Sequence, residues 1–364
     1  MSSLPKTYKA AVVESKGAEL KIVEKELQKP GPGHILVKVL ACGVCHSDTA
    51  MQAGDFGEVF PRVPGHEVIG DVAAVGENVS RFSGGERVGG AWHGGWSFSM
   101  HNQRFTAVQS GLKLTYGVGH DGTCRQCQKG MFQTCSNGAV NGVSRDGGYA
   151  EYVLLRAEAA VRVPKDVDPA DAAPLLCAGV TVFNSIRKMG VEHGSLVAIQ
   201  GLGGLGHLGV QYASRMGYKV AVLSSGSQKK DFAMKLGAHE YIDSSATDPV
   251  KRLQELGGAA LIVATAPNPK AIGPLTAGLA PGGKLCVLAP VGDLQVNSID
   301  LIVGGKSVCG WPSGNQLDSE DAIDFAATHG VKCMVERFSL DDAKKASDHM
   351  LSNKVRFRSV LVME

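Results

Sequence analysis

The second half of the chain alternates short apolar runs with segments of helix length. The runs are "LVAIQ" (196–200), "KVAVL" (219–223), "ALIVAT" (260–265) and "KLCVLAPVG" (284–292). Short, bounded apolar runs separated by helical segments are typical of strands that a parallel sheet buries on both faces. From about Pro174 onward, the pattern therefore predicts a doubly wound α/β domain.

The first third of the chain has a different texture. It is rich in glycine and broken into shorter β-like runs, among them "HILVKVL", "EVIGDVAAVG" and "YAEYVLL". This pattern predicts a compact, mostly β unit whose loops carry functional residues. The last 40 or so residues return to a helix, "DDAKKASDHML", and a closing strand, "FRSVLVM". A length of 364 residues also favours two domains.

Composition narrows the class of partner. The chain has 37 Lys+Arg against 35 Asp+Glu, so no basic surface points to nucleic acid or to an anionic membrane. The N-terminus lacks the apolar region of a signal peptide, and no apolar run approaches the ~20 residues of a membrane span. Nine clustered cysteines favour metal binding in a reducing compartment over a disulfide framework. We therefore expect a cytoplasmic protein whose partners are small molecules.

A glycine-rich loop follows the run at 196–200. Its sequence, "GLGGLG", has Gly201, Gly203 and Gly206 in a GxGxxG pattern that also contains Gly204 and Leu205. Such a loop needs a tight turn, close approach of the backbone to a pyrophosphate, and close packing of helix on strand. Apolar residues at helical spacing and then the strand "KVAVL" follow it, which is the context of a dinucleotide-binding loop.

The end of that next strand indicates which dinucleotide binds. An acidic residue at this position hydrogen-bonds the ribose hydroxyls of NAD(H). The chain instead reads "SSGSQKK" (224–230), and Ser224, Ser225 and Lys229 can hold a 2′-phosphate. We predict NADPH as the cofactor, with NADH as the alternative. A solvated turn with no role in binding would give the same sequence.

Three dispersed residues have the chemistry of a catalytic metal site. Cys45 follows the strand "ILVKVL", His66 lies at the mouth of another strand, and Cys177 lies at the start of a helix. Two thiolates and one imidazole leave a fourth zinc position open, which a catalytic site requires. Four further cysteines are interpreted as ordinary small apolar residues: Cys42, Cys286, Cys309 and Cys333.

A second cysteine cluster lies in "GHDGTCRQCQKGMFQTC". Cys124, Cys127 and Cys135 have the spacing of a metal-binding lobe, but a closed tetrahedral site needs a fourth ligand. Either Asp121 supplies it, with His120 as a possible substitute, or the lobe holds no metal. We favour a zinc ion bound by one aspartate and three thiolates.

Taken in order, "GVCHSD", "PGHE", the CxxC lobe, "LLCAGVTV" and "GLGGLGHLG" closely resemble the zinc-dependent alcohol dehydrogenases of the medium-chain dehydrogenase/reductase family, over nearly the whole chain. The serines at 224 and 225 resemble the NADPH-preferring cinnamyl-alcohol-dehydrogenase branch, and "GMFQTCSNGAV" resembles microbial alcohol dehydrogenases. The resemblance implies a GroES-like catalytic domain (1–177 and 315–364), a Rossmann domain (178–314) and a structural zinc lobe at about 119–136. It also implies a cleft between the domains as the active site.

The resemblance also implies residue roles. Cys45, His66 and Cys177 match the catalytic zinc ligands, and Asp121 stands where the structural lobe usually has its first cysteine. The remaining matches are Glu67, a carboxylate that approaches the metal; Asp48, which orients the zinc histidine; Ser47, which relays the substrate proton; and Arg358, near the metal. Relatives pair through an edge strand of the Rossmann sheet, here near "SIDLIVGGKSVCG", so we expect a homodimer or homotetramer.

The function expected from these features is hydride transfer between NADPH and an aldehyde or ketone, or the reverse reaction on an alcohol. Three alternatives remain open: an NADH-linked alcohol dehydrogenase, a relative that reduces C=C or C=N bonds, and a catalytically silent nucleotide-binding protein. About two dozen residues at 96–119 depart from the family pattern. Three interpretations of this segment remain open: a surface loop over the cleft, a disordered insertion or translated intron sequence. Four residues in or beside this segment are candidates for a substrate pocket: Trp92, Trp96, Phe98 and His101.

Overall fold

A computed structural model describes residues 4–57, 59–96, 106–109, 112–115, 120, 122–352 and 354–363, with the backbone alone at 96, 106–109 and 112–115. The chain divides into two compact units. The first contains Met1–Cys177, Gly314–Asp324 and Cys333–Glu364, and the second contains Ala178–Ser313 and Phe325–Lys332. The predicted division placed all of 315–364 in the first domain, whereas Phe325–Lys332 groups with the second unit.

The strands, in chain order, are β1 (Thr7–Val12), β2 (Lys21–Glu26), β3 (His34–Gly43), β4 (Val68–Val75), β5 (Arg87–Gly90), β6 (His93–Trp96), β7 (Thr106–Gln109), β8 (Leu112–Thr115), β9 (Gly138–Val140), β10 (Tyr152–Arg156), β11 (Val161–Arg162), β12 (Leu196–Gln200), β13 (Lys219–Ser224), β14 (Glu240–Asp243), β15 (Ala259–Ala264), β16 (Leu279–Val287), β17 (Ser307–Gly310), β18 (Val335–Ser339) and β19 (Arg358–Val362).

The α-helices are α1 (His46–Gln52), α2 (Arg125–Gln128), α3 (Pro169–Ala172), α4 (Ala178–Lys188), α5 (Gly206–Arg215), α6 (Lys230–Leu236), α7 (Pro249–Glu255), α8 (Pro269–Ile272), α9 (Ser298–Gly304), α10 (Gln316–His329) and α11 (Ala343–Leu351). Short 3₁₀ helices cover Phe132–Thr134, Ala173–Leu176, Gly273–Gly278 and Leu340–Asp342.

The first unit is built around a mixed sheet of order β11-β5-β4-β3-β19-β18, with β10 also paired to β3. The C-terminal strand β19 lies antiparallel to β3, with Val360 opposite Gly43 and Leu361 opposite Cys42. Alternate side chains of these strands, such as Val37 and Val39 of β3, point into a core that excludes water. This pairing brings Arg358, the first residue of β19, to the end of β3 where the site residues lie.

The second unit contains the predicted parallel sheet, of order β14-β13-β12-β15-β16-β17. The predicted runs at 196–200, 219–223, 260–265 and 284–292 correspond to β12, β13, β15 and part of β16. Aliphatic residues of these strands, among them Ala198, Ile262 and Leu285, form a fully buried core. In the stretch expected to hold an edge strand, only Ser307–Gly310 is extended, and Ser298–Gly304 is the helix α9.

Among the described residues, no helix combines the length and the apolar character needed to cross a membrane. Of the segment at 96–119, the structure describes the backbone of Trp96 and of the antiparallel pair β7–β8. Phe98, His101 and the Trp96 side chain, which were candidates for a substrate pocket, lie outside the described residues.

Candidate active site

Four residues from three separate segments of the sequence meet in the first unit. Cys45 caps the N-terminus of α1, His66 and Glu67 directly precede β4, and Cys177 follows the 3₁₀ helix Ala173–Leu176. One potential ligand atom from each lies within 4.8 Å of those of the others. The structure therefore brings the three predicted zinc ligands and the neighbouring carboxylate into a single cluster.

The dimensions of this cluster fit a tetrahedral zinc ion. The Sγ atoms of Cys45 and Cys177 are 3.8 Å apart. Two sulfurs at the usual zinc–sulfur distance of about 2.3 Å lie about 3.8 Å apart in a tetrahedron. His66 is fully buried, and its Nε2 has no hydrogen-bond partner among the described residues. Because a buried polar nitrogen is costly to leave without a partner, its placement beside two thiols favours a metal ligand.

Asp48 connects two of these residues through a single carboxylate. Its Oδ2 accepts a hydrogen bond from the backbone N–H of Cys45 at 2.9 Å, because Asp48 is the third residue of α1. Its Oδ1 lies 3.2 Å from Nδ1 of His66 and accepts from the backbone N–H of Gly65, also at 3.2 Å. With Nδ1 engaged by Asp48, the imidazole presents Nε2 to the cysteines.

Glu67, the carboxylate of the cluster, forms a buried ion pair with Arg358. A Cβ atom on Gly43 would overlap the Glu67 carboxylate, so the glycine at the end of β3 makes room for it. Burial raises the pKa of Glu67 to about 6, although the Arg358 guanidinium opposes that shift. Oε2 of Glu67 has no hydrogen-bond partner among the described residues.

The two cysteines and His66 influence one another's protonation. The hydrogen bond with Cys177 lowers the pKa of the Cys45 thiol well below its usual value, against the effect of burial, and His66 contributes in the same direction. The same hydrogen bond, together with burial, raises the pKa of Cys177. Burial lowers the pKa of His66, but the Asp48 carboxylate, together with Cys45, outweighs burial and holds that pKa well above its usual value. A metal ion held by this set would displace the protons of Cys177 and His66.

Two further side chains border the cluster. The hydroxyl of Ser47, the predicted proton relay, lies 3.8 Å from Sγ of Cys45. The Trp92 ring packs edge-on against the His66 ring at 4.8 Å between centroids, and Phe56 packs against Trp92 at 5.7 Å. Trp92 thus contacts a predicted metal ligand.

The second cysteine cluster lies at α2. Sγ of Cys124 is 3.5 Å from Sγ of Cys127 and 3.8 Å from Sγ of Cys135, so three thiols meet at the separation that a common zinc ion imposes. Burial raises the pKa of Cys124, but the backbone N–H groups of Cys127 and Ser136 lower it more, to about 6. Asp121, the predicted fourth ligand, lies outside the described residues. Nδ1 of His120, the substitute considered for it, is 2.8 Å from Nε2 of His93.

The glycine loop of the second unit connects β12 to α5. Gly201 has φ +91°, a conformation that side-chain-bearing residues rarely adopt, and a Cβ atom on Gly206 would overlap the carbonyl oxygen of Gly201. A Cβ atom on Gly203 would meet nothing within 4 Å. The first and third glycines are therefore required by packing, and the second faces open space beside the N-terminus of α5, where a pyrophosphate binds in loops of this kind. Gly204 and Leu205 complete the turn.

The predicted 2′-phosphate residues lie at the end of β13. Ser224 is the buried last residue of the strand, Ser225 is exposed, and Lys229 donates from Nζ to the carbonyl oxygen of Leu202 in the glycine loop at 3.2 Å. One nearby carboxylate was not expected. Asp243, opposite Ser224 on β14, accepts at Oδ1 from the backbone N–H of Gly226 at 2.8 Å.

Sequence reasoning missed two residues with clear roles in this geometry. Tyr149 donates its buried hydroxyl to Oδ2 of Asp48 at 3.0 Å, and Asp243 holds the turn after β13. Tyr149 is 101 residues from Asp48, and no spacing rule links them. The short run "EYID" was not recognised as a strand, so Asp243 could not be placed beside Ser224.

Comparison with known proteins identifies the class of this enzyme. The family model of the alcohol dehydrogenase GroES-like domain matches residues 31–165, and that of the zinc-binding dehydrogenase matches residues 204–328. Alcohol dehydrogenase patD of Penicillium expansum is 53% identical over 362 residues, covering 100% of this chain and 99% of the relative. Alcohol dehydrogenase notN of an Aspergillus species is 48% identical over 362 residues, covering 100% of both chains.

Solved structures of similar fold support the same class of enzyme. A cinnamyl alcohol dehydrogenase from Sorghum bicolor has a TM-score of 0.83 at 30% identity and covers 98% of each chain. Acetophenone reductase from Geotrichum candidum in complex with NAD has a TM-score of 0.81 at 26% identity, covering 99% of this chain and 98% of its own. A putative zinc-binding dehydrogenase from Sinorhizobium meliloti bound to NADP has a TM-score of 0.81 at 26% identity, covering 98% and 100%.

These matches define an oxidoreductase with a GroES-like domain and a Rossmann-like parallel sheet. The chain belongs to the alcohol dehydrogenases of the medium-chain dehydrogenase/reductase family. The predicted family and fold class are thereby confirmed.

Proposed function

We propose that this alcohol dehydrogenase is zinc-dependent and acts mainly as a carbonyl reductase, transferring hydride from NADPH to an aldehyde or ketone. The observation that carries the proposal is the arrangement of Cys45, His66 and Cys177 within the cluster. Its two sulfurs are separated as a tetrahedral zinc ion requires, and the buried Nε2 of its imidazole has no other partner among the described residues. Three protein ligands leave a fourth position for the substrate oxygen.

Each residue of the cluster then has a physical task. When bound, zinc supplies Lewis-acid polarisation of the carbonyl and the reduced nicotinamide supplies the hydride. Cys45, His66 and Cys177 hold the metal, and Asp48 fixes the imidazole through Nδ1. Ser47, close to Sγ of Cys45, relays the proton: its hydroxyl gives a proton to the oxygen of the reduced substrate and takes one up from water in exchange. The Arg358 guanidinium balances the charge of the Glu67 carboxylate beside the ligands.

The choice of NADPH rests on the turn after β13. Ser224 ends the strand where an acidic residue would select NADH, and the exposed Ser225 and the ammonium of Lys229 supply donors for a 2′-phosphate. Oδ1 of Asp243 is engaged by the backbone N–H of Gly226 and by the backbone N–H and hydroxyl of Ser245. Of the solved structures described above, one is bound to NADP and another is in complex with NAD, so membership of the family alone does not fix the cofactor. The proposal therefore rests on the residues of this turn.

We further propose a second, structural zinc ion held by Cys124, Cys127, Cys135 and Asp121. The three thiols already lie at the separations of a shared ion. A homo-oligomer is proposed from the surface of the second unit, where the edge strand β17 pairs only with β16 among the described strands and the preceding helix α9 exposes apolar side chains.

The test is a panel of aldehydes, ketones, alcohols and activated C=C substrates, followed by NADPH or NADH absorbance with and without a chelator. The proposal requires chelator-sensitive carbonyl reduction with a lower KM for NADPH than for NADH. Cys45→Ser should abolish this activity, whereas Cys286→Ala, at a buried cysteine of β16, should leave it within about twofold. Reduction that survives complete zinc removal would overturn the zinc-dependent mechanism.

A further inference from the structure

Tyr149 approaches the predicted metal cluster from a segment that supplies none of its ligands. It is 1% exposed, and its hydroxyl donates to Oδ2 of Asp48 at 3.0 Å. The other oxygen of the same carboxylate lies 3.2 Å from Nδ1 of His66. A continuous chain of hydrogen bonds therefore runs from the Tyr149 hydroxyl through Asp48 to the imidazole.

The backbone fixes Tyr149 relative to the loop that carries His66. The backbone N–H of Tyr149 donates to the carbonyl oxygen of Pro64 at 3.0 Å, and that of Gly148 donates to Gly65 at 2.9 Å. Gly65 has φ +103°, and a Cβ atom there would lie 2.6 Å from Cδ1 of Tyr149. Gly65 thus adopts a conformation that favours glycine and leaves room for the tyrosine ring directly before His66.

Asp48 receives four hydrogen bonds from the described residues, two at each oxygen. Oδ1 accepts from the backbone N–H of Gly65 and lies against Nδ1 of His66, whereas Oδ2 accepts from the backbone N–H of Cys45 and from Tyr149. In the described part of the chain, the tyrosine hydroxyl is the one donor to Oδ2 that comes from outside the segments carrying the ligands. Its loss leaves a buried carboxylate with an unused acceptor position, which is satisfied only by rotation of the carboxylate or entry of water.

We propose that Tyr149 is a positioning residue for the metal-binding histidine. It holds the Asp48 carboxylate in the rotation that keeps Nδ1 of His66 engaged and Nε2 directed at the two cysteines. This inference rests on the proposed function, because it requires a metal at Cys45, His66 and Cys177. Removal of a hydrogen-bonding group that orients a metal-binding histidine typically weakens metal binding by 10–100-fold.

The experiment compares Tyr149→Phe with the unaltered full-length chain. Phenylalanine keeps the ring against Gly65 and removes only the hydroxyl. Zinc-loaded protein is titrated with a chromogenic chelator, which reports the release of zinc. The zinc that the unaltered chain releases and Cys45→Ser does not is assigned to the cluster. We expect Tyr149→Phe to weaken binding of that zinc about tenfold and to alter the visible absorption of the cobalt-substituted protein.

Tyr218→Phe is the matched control. Tyr218 is also buried, and its hydroxyl donates to the carbonyl oxygen of Val191 at 3.3 Å in the second unit, so its removal should leave zinc binding and the cobalt spectrum unchanged. Asp48→Asn combined with Tyr149→Phe tests the route. If Tyr149 acts through Asp48, the double variant loses less zinc affinity than the sum of the two single losses.

Three results would overturn the inference. Equal zinc affinity and equal cobalt spectra in Tyr149→Phe and Tyr218→Phe would show that the hydroxyl does not position His66. Additive losses in the double variant would show that it does not act through Asp48. If the unaltered protein lacks the Cys45-dependent zinc, both the proposed function and this inference are refuted. Zinc analysis of the unaltered protein alone distinguishes this outcome from the first two.

Discussion

Glu67 and Arg358 form a buried ion pair although they are 291 residues apart in sequence. The pair exists because the C-terminal strand β19 joins the sheet beside β3, with Val360 opposite Gly43. The guanidinium is 5% exposed and the carboxylate is not exposed at all, so neither charge is screened by water. Removal of one partner would leave the other charge buried without compensation.

Arg358→Met should therefore reduce the free energy of unfolding of the metal-free protein by about 3 kcal/mol. Arg337→Met is the control, because Arg337 lies on the neighbouring strand β18 and its ion pairs with Asp168 and Asp171 are half exposed. That change should cost less than about 1 kcal/mol. Urea denaturation measures the free energy of unfolding of both variants and of the double variant Glu67→Gln/Arg358→Met. The double variant should recover part of the stability that Arg358→Met loses. Equal losses for the two arginines would contradict the prediction.

Much of the fold was predictable because its signals are local. The strands β12 and β13 lie where short apolar runs predicted them, and the glycine loop between them follows from three residues within six positions. The four residues of the cluster could be selected because each lies in a short motif. Their roles stay predictions, but the structure places their ligand atoms together.

What could not be predicted depends on contacts between distant segments. The hydrogen bond from Tyr149 to Asp48 joins residues 101 positions apart, and neither residue's surroundings in sequence indicate the other. Asp243 comes to lie opposite Ser224 only through the parallel pairing of β13 with β14, a strand of four residues whose pattern is too short to recognise. Residues that position other residues are therefore harder to find than those that bear the chemistry.

Metal analysis should give two zinc ions per chain. Cys135→Ala should lose one of them, because Sγ of Cys135 lies 3.8 Å from Sγ of Cys124 in the second cysteine cluster, and should lower the melting temperature. The remaining zinc should still be Cys45-dependent, so carbonyl reduction at low temperature should persist. Asp121→Ala should weaken the binding of the same zinc ion. One zinc per chain in the unaltered protein, with the Cys45 cluster filled, would refute the second site.

Ser224→Asp should shift cofactor preference from NADPH toward NADH. A carboxylate at the end of β13 repels a 2′-phosphate and accepts hydrogen bonds from ribose hydroxyls, so kcat/KM for NADPH should fall by about tenfold or more relative to that for NADH. Because Asp243 lies opposite on β14, the variant also sets two carboxylates side by side, and thermal unfolding must be measured in parallel. Thr247→Asp adds the same charge at an exposed position of the second unit and should leave the preference unchanged. Tighter NADH binding by the unaltered enzyme would refute the NADPH assignment before any variant is made.

The exposed face of α9 provides the test of assembly. Ile299, Ile302 and Val303 are 65%, 79% and 82% exposed, on a helix that directly precedes the edge strand β17. Apolar side chains this exposed, next to unpaired strand edges, favour contact with a second copy of the chain. Ile302→Lys should therefore lower the molar mass measured by light scattering after size-exclusion chromatography, since it places a charge in the apolar contact. Met234→Lys, at a 42% exposed apolar residue of α6 in the same unit, should not. If the unaltered protein is a monomer, or if both variants keep the mass of the assembly, α9 is not the contact surface.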